Sequence, residues 1–307
     1  MINKFIFFFI LFPVFSPAQS LYVDHMEDGI LIREGNAKVL FFQVKTKSQN
    51  GQYPRANYIH PLFSLDGSEL TEDFPSDHLH QRGIFWAWHQ VTIGDRRVGD
   101  MWECKDIVWD IDLADTKYED GGSISLYFNT HWRSPLWVVN GIEQPFLLER
   151  TKLKVYPRRE NYRVVDIEIS LQALVPDLKI GGCEDEKGYG GLSVRMKMPS
   201  DITFVSEGEV VSPITNQVEA GPWMDIYGSL ATDGRKAGIV IICHPDNPMS
   251  HNKWILRKNA SMQNAVYPGR YPVLVEEEKP TILSYRFIIY QGNMSENSIN
   301  DLYEQMR

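Results

Sequence analysis

The sequence predicts an all-β protein, a large antiparallel β-sandwich carrying one C-terminal helix. Three observations predict it. Most periodic segments alternate polar and apolar residues and are rich in β-branched and aromatic side chains, as strands with one buried face do. Each is bounded by Gly, Pro, Asn or Asp clusters, which supply turns. Only one segment, the last, has convincing helical spacing.

In chain order, GILIREG and AKVLFFQVKT open the strand series, followed by SISLYFNTHW, LERTKLKVYP, YRVVDIEISLQAL and GGLSVRMKM. ITFVSEGEVV, AGIVIICHP and TILSYRFIIYQG continue it. At the C-terminus Ser295 can cap a helix whose Ile299, Leu302, Tyr303 and Met306 share a face. Residues 50–106 are the least strand-like and read as long, functional connections. No internal repeat, low-complexity tract or linker interrupts the chain, so residues 19–307 read as a single domain. That length exceeds a simple sandwich and predicts two large sheets.

The first residues, MINKFIFFFILFPVFSPAQS, combine an early lysine, a short apolar run and small residues at a cleavage point. Residues 1–18 therefore read as a cleaved signal peptide, and the mature chain is expected in the periplasm or outside the cell. No later stretch approaches the ~20 apolar residues of a membrane helix. Lys and Arg number 31 against 40 Asp and Glu, a net charge of −9. Such a balance argues against nucleic acid or an anionic membrane as partner. The three cysteines, Cys104, Cys183 and Cys243, lack metal-type spacing and read as small buried hydrophobes.

The stretch DHLHQRGIFWAWHQ, residues 77–90, concentrates histidines, Arg82 and two tryptophans. On an extended backbone His78, His80 and Arg82 point to one side, with Leu79 and Gln81 opposite. IFWAWHQV reads as a strand whose Trp86 and Trp88 share a face and floor a pocket. Three readings are open. His78 and His80 can ligate a divalent metal, with further ligands from His60, Glu72, Glu103 or His244. They can do acid–base work while Arg82 holds a carboxylate or sulfate. Or the stretch is structural. No tightly bound metal or other cofactor is expected, because no full ligand set occurs at short spacing. Aromatic rings beside charged hydrogen-bonding groups suit a sugar. Further polar residues stand at strand ends or in Gly-rich settings: His60, Lys187, Tyr189, Asp225, His244 and Arg270.

The segment ANYIHPLFSLDGSELTEDFPSDHLHQRGIFWAWHQV, with EKGYGGLSVR, GPWMDIYG, IVIICHPDNP and MQNAVYPGR following in order, resembles the bacterial PmoA-like family. That family carries a similar His-Pro, a DHPHHRG-type motif and then Trp. One departure is Gln81, where the family has a second adjacent histidine; on an extended strand it faces away from His78 and His80. The resemblance implies a galactose-mutarotase-type sandwich in an exported, carbohydrate-associated protein. It also implies dehydration of a uronic acid at the non-reducing end of ulvan-type oligosaccharides, hence an acidic oligosaccharide as partner. In that elimination Arg82, with Arg195 or Arg270, would hold the carboxylate. His78 and His80 would act as base and acid, with Tyr189 and His244 in reserve, and His60, Trp86, Trp88, Glu103, Lys187 and Asp225 would bind sugar. A sugar-binding module and a sugar epimerase or mutarotase are the alternatives. One concave pocket is expected to gather His60, His78, His80, Arg82 and His244.

Overall fold

A computed structural model describes residues 20–249, 252–259 and 261–307. The expected signal peptide lies outside the described residues. No described helix is long and apolar enough to cross a membrane.

Two nine-stranded sheets form the body. The first runs Leu21–His25, Gly29–Glu34, Ala37–Gln43, Tyr58–Leu62, Ile84–Ala87, Gly191–Arg195, Met262–Ala265, Lys253–Ile255 and Val218–Glu219. The second runs Val108–Tyr118, Ile124–Arg133, Leu147–Val155, Tyr162–Ala173, Thr281–Gln291, Ala237–Cys243, Trp223–Gly228, Thr203–Ser206 and Glu209–Val210. Every neighbouring pair within these two sheets is antiparallel. The alternation read from sequence is the burial pattern observed. In Leu147–Val155 the buried set is Leu147, Glu149, Thr151, Leu153 and Val155.

These inner faces meet in one continuous core. Phe42 of the first sheet stacks on Phe128 of the second, with ring centroids 4.1 Å apart. Glu149 is fully buried between the sheets and accepts from Asn57 Nδ2, Trp86 Nε1, Thr151 Oγ1 and Trp132 Nε1 at 2.6–2.9 Å. Burial pushes its carboxyl up, against the pull of those donors.

The helix is Glu296–Glu304, and Ser295 Oγ accepts from Ser298 N at 3.2 Å. Ile299 and Leu302 pack on the outer face of the second sheet with Trp223, Val240, Ile288 and Tyr290. Arg286 NH1 donates to the helix carbonyl of Leu302 at 2.8 Å. Ser295→Ala is expected to lower stability by about 1 kcal/mol, read as a shift in the urea midpoint; an unchanged midpoint would show that packing alone holds the helix.

Three differences from the sequence reading matter. Residues 84–93 are two strands: Ile84–Ala87 lies in the first sheet and Gln90–Ile93 in a separate four-stranded sheet. The chain leaves the first sheet at Trp88–His89. Residues 75–82 are consecutive turns, with His78 N bonded to Pro75 O and Gln81 N to His78 O, so the alternate-face argument does not apply to them. Val108–Tyr118, unmarked in the sequence, is an edge strand of the second sheet whose Asp110, Asp112 and Asp115 keep that edge charged. The cysteines are free and buried.

Candidate functional site

The central strands of the first sheet are buried on both faces. Loops from residues 44–107 cover the outer face, where Phe85 meets Trp102 at 5.3 Å and the Arg55 guanidinium at 4.7 Å. A polar cavity of about 280 Å³ opens in this cover. His78, His80 and Gln81 come to it from the turns, Trp102 and Glu103 from the next loop. Lys187 and Tyr189 come from the Gly-rich loop, and Arg257 with Ser261 and Met262 from a fourth segment.

Two glycines shape this cover. At Gly83 φ is +55°, and a Cβ would lie 2.1 Å from Ile59 O; only glycine fits. At Gly188 φ is +54°, and a Cβ would meet Arg270 N at 2.7 Å.

Arg195 organises the turns. It is almost fully buried. Its Nε donates to Glu72 Oε2 at 2.8 Å and its two terminal nitrogens grip Asp77 at 2.8 and 2.9 Å. NH1 also donates to Gln81 Oε1 at 3.0 Å. Burial alone would raise the Asp77 carboxyl, but the bonds from Arg195 and His78 outweigh it and hold it at about 2. The carboxylate in turn accepts from His78 Nδ1 at 2.7 Å, leaving His78 Nε2 as the free nitrogen.

His80 has a mostly buried ring, edge-on to His78 at 5.8 Å. Burial, helped by Arg55 and His78, pulls its imidazole down to about 4. Its Nε2 stands 3.9 Å from Glu103 Oε1. Tyr189 is shifted the other way: burial first, then Cys183 and Asp185, push its phenol up to about 12. At neutral pH the cavity thus holds an unprotonated imidazole and a protonated phenol.

Behind it sits a dyad. His89 Nδ1 is 3.0 Å from Asp100 Oδ2, and the His89 ring lies against Trp102 at 5.4 Å and Tyr189 at 5.2 Å. Its buried Nε2 has no hydrogen-bond partner among the described residues. Asp100 is itself tied by Glu103 N and Arg97 NH2, both at 3.0 Å.

The structure brings together His78, His80, Glu103, Lys187 and Tyr189 of the residues read from sequence. The single pocket expected for His60, His78, His80, Arg82 and His244 does not form. Arg82 is wholly buried on the far side of the turns, paired with Asp73 through Nε, bonded to Tyr58 Oη at 2.6 Å and stacked on Phe74. Buried without access to solvent, it cannot reach a substrate carboxylate, and neither can Arg195. His60 bonds Thr71 Oγ1 at 3.0 Å, beside that cluster. His244 is spent at the C-terminus: Nε2 donates to Met306 O at 2.5 Å and Nδ1 accepts from Asp246 N at 3.1 Å. Trp86 and Trp88 are core residues whose indole N–H groups go to Glu149 and Tyr267 O, so they offer no platform to a sugar. Arg270 is exposed beside Tyr271 and does not line the cavity. Gln81 does not face away; it lines the cavity with both histidines.

Asp225 lies under the helix, on the outer face of the second sheet, where Tyr290 Oη donates to it at 2.8 Å. Burial pushes it up to about 6, against Tyr290 and Lys236. A raised folded value favours the protonated form, so its contribution is fully present below the unfolded value and lost as pH rises through about 6. Asp225→Asn is therefore expected to be near neutral at about pH 4 and stabilising by up to about 3 kcal/mol above pH 7. Urea midpoints against pH check this; parallel curves for the two proteins would contradict it.

His89, Asp100, Trp102 and Arg257 are not singled out by sequence. The third histidine of HLHQRGIFWAWH was the available signal for His89; nothing local marks Asp100 or Arg257. Among the described residues no group of three or more His, Cys, Asp or Glu is placed to hold a metal ion.

Fold and site define an all-β sandwich protein with a small polar, histidine-lined cavity built from loops on one outer face. Its family is shown by sequence: the chain belongs to DUF6807, a family of unknown function, whose model matches residues 30–304. Comparison with curated proteins found no match. Among solved structures it is similar to YeaD from Salmonella typhimurium, provisionally described as a mutarotase, with a TM-score of 0.39 and 11% identity, over 92% of this chain and 97% of that one.

Proposed function

We propose that the protein is a carbohydrate-active enzyme that interconverts stereoisomers of an acidic sugar by proton transfer, as a mutarotase or epimerase. The observation that carries this reading is the pair of oppositely shifted groups in one polar cavity: His80, held unprotonated, and Tyr189, held protonated. At about 280 Å³ the cavity is near the lower end of small-molecule sites, a size for one sugar ring. His80 accepts a proton from the substrate, and Glu103, 3.9 Å away, steadies the imidazolium that forms. Tyr189 donates to the oxygen on which charge develops. In mutarotation the proton leaves the anomeric hydroxyl, the bond from the anomeric carbon to the ring oxygen breaks, and the ring oxygen gains a proton. Closure on the other face reverses these steps.

Lys187 and Arg257 line the same cavity and favour an anionic substrate. They also sustain a second reading, β-elimination of water from a terminal uronate, as the PmoA-like resemblance implies. In that case these two cations, not Arg82 or Arg195, meet the carboxylate. Export to the periplasm or out of the cell, expected from the N-terminal sequence, would suit either substrate. The test is to incubate the protein with free uronic acids and uronate-ended oligosaccharides. Faster optical-rotation change, or solvent deuterium entering a sugar carbon, supports the isomerase. Loss of one water with ultraviolet absorbance of an unsaturated uronate supports the lyase. Saturable binding with neither change would leave a sugar-binding module.

A further inference from the structure

A second cavity, of about 810 Å³, lies on the opposite face of the sandwich. It is formed on the outer face of the second sheet, where Lys154 and Arg286 alternate with inward-facing residues, and the helix end at Leu302 and Gln305 gives one wall. Four cationic side chains line it, Lys154, Arg158, Arg159 and Arg286, against one acid, Asp120.

Their charges are not equally balanced. Lys154 is paired with Glu119. Arg286 holds Asp166 by two bonds of 2.7 and 2.8 Å. Nearby Arg163 is paired with Glu34 at 2.6 Å. That leaves the turn Arg158–Arg159. Among the described residues the Arg158 guanidinium bonds only to carbonyls, Leu65 O at 3.1 Å and Glu160 O at 3.4 Å. It is thereby held in position with its charge unmatched. The exposed Arg159 side chain has no partner among the described residues. Crowding of like charge is felt next door: Arg163 is depressed, first by burial and further by Arg158. Acidic side chains outnumber basic ones by 40 to 31 in this chain, so two adjacent unmatched arginines on a walled cavity are not a product of bulk charge. Tyr156 and Tyr162 form part of the wall.

We propose that this groove is a second, non-catalytic binding site for a small molecule bearing an oxyanion group, carboxylate, sulfate or phosphate, gripped by Arg158 and Arg159. The cavity exceeds a single ion, so the anionic group would be part of a larger polar molecule. The site is independent of the His80 cavity.

The probes are inorganic sulfate, inorganic phosphate and acetate, titrated by calorimetry and by NMR of arginine side chains at low ionic strength. At least one should bind saturably with a Kd at or below about 10 mM; their ranking identifies the preferred oxyanion. Arg159→Ala touches no other side chain and should weaken binding about tenfold or more. Arg158→Gln with Arg159→Ala should abolish it while the unfolding midpoint stays unchanged. His80→Ala should bind as the unaltered protein does. Absence of saturation by all three probes, equal binding by the double variant, or loss of binding in His80→Ala would each overturn the proposal.

Discussion

Replacing Arg82 with alanine is expected to destabilise the fold by about 3–5 kcal/mol. Arg82 is fully buried and pairs with Asp73, which is itself nearly inaccessible. It also carries the Tyr58 hydroxyl, the carbonyls of Lys47 and Tyr53, and the face of Phe74. The substitution strands a carboxylate among these groups, with the half-exposed Lys47 and the Tyr58 hydroxyl left to oppose it. The pH dependence gives a second readout. Burial tends to raise Asp73, but Arg82 outweighs it and lowers the folded value below 3.8. A lowered value contributes stability above the unfolded value that is lost as pH falls below it. Without Arg82 the burial effect prevails, so the variant protonates Asp73 more readily and the deficit should shrink below about pH 4. Urea unfolding followed by tryptophan fluorescence measures both. A full-strength fold with a selectively raised KM for an acidic substrate would place Arg82 at a substrate after all.

The second large effect is expected at His80. His80→Ala should lower kcat for the proposed isomerisation by about 10²–10⁴-fold with little loss of stability, since among the described residues the ring makes no hydrogen bond and Glu103 Oε1 is 3.9 Å away. Tyr189→Phe should also lower kcat while keeping the ring that packs on Trp102 at 4.8 Å. With His80 depressed to about 4, its basic form persists well below the usual histidine range. Turnover should therefore hold through mildly acidic pH and fall only toward 4. The stability linkage has the same sign: the contribution is present above the ordinary value of 6.5 and lost as pH falls toward 4, and His80→Ala should lack that loss. Unchanged turnover in folded His80→Ala protein would remove the acid–base assignment. Turnover failing near pH 6.5 would contradict the depressed value.

Much of the fold is legible in the chain because one physical rule writes it. A strand with one face on a core must alternate, and Leu147–Val155 and residues 165–173 do so residue by residue. The helix is legible because Ser295 and the spacing of Ile299 and Leu302 are local signals. Val108–Tyr118 escapes because an edge strand carries charge where a central one carries apolar residues. The break at Trp88–His89 escapes because no Gly or Pro marks it; Trp88 is held in the core by Tyr267, 179 residues away in sequence.

The site divides in the same way. The sequence by itself determined that histidines, arginine and tryptophan would be concentrated at residues 77–90, and that the strands around them would form a sandwich. Only the tertiary structure decided which of those side chains meet water. Arg82 and His80 are two residues apart, yet one is sealed against Phe74 and Asp73 while the other faces a cavity with Glu103, Lys187 and Tyr189. The direction of a side chain follows from local backbone period. Its burial follows from what other segments place over it, here Asp73, Arg195 and the loops at 102–103 and 187–189, and no local pattern encodes that.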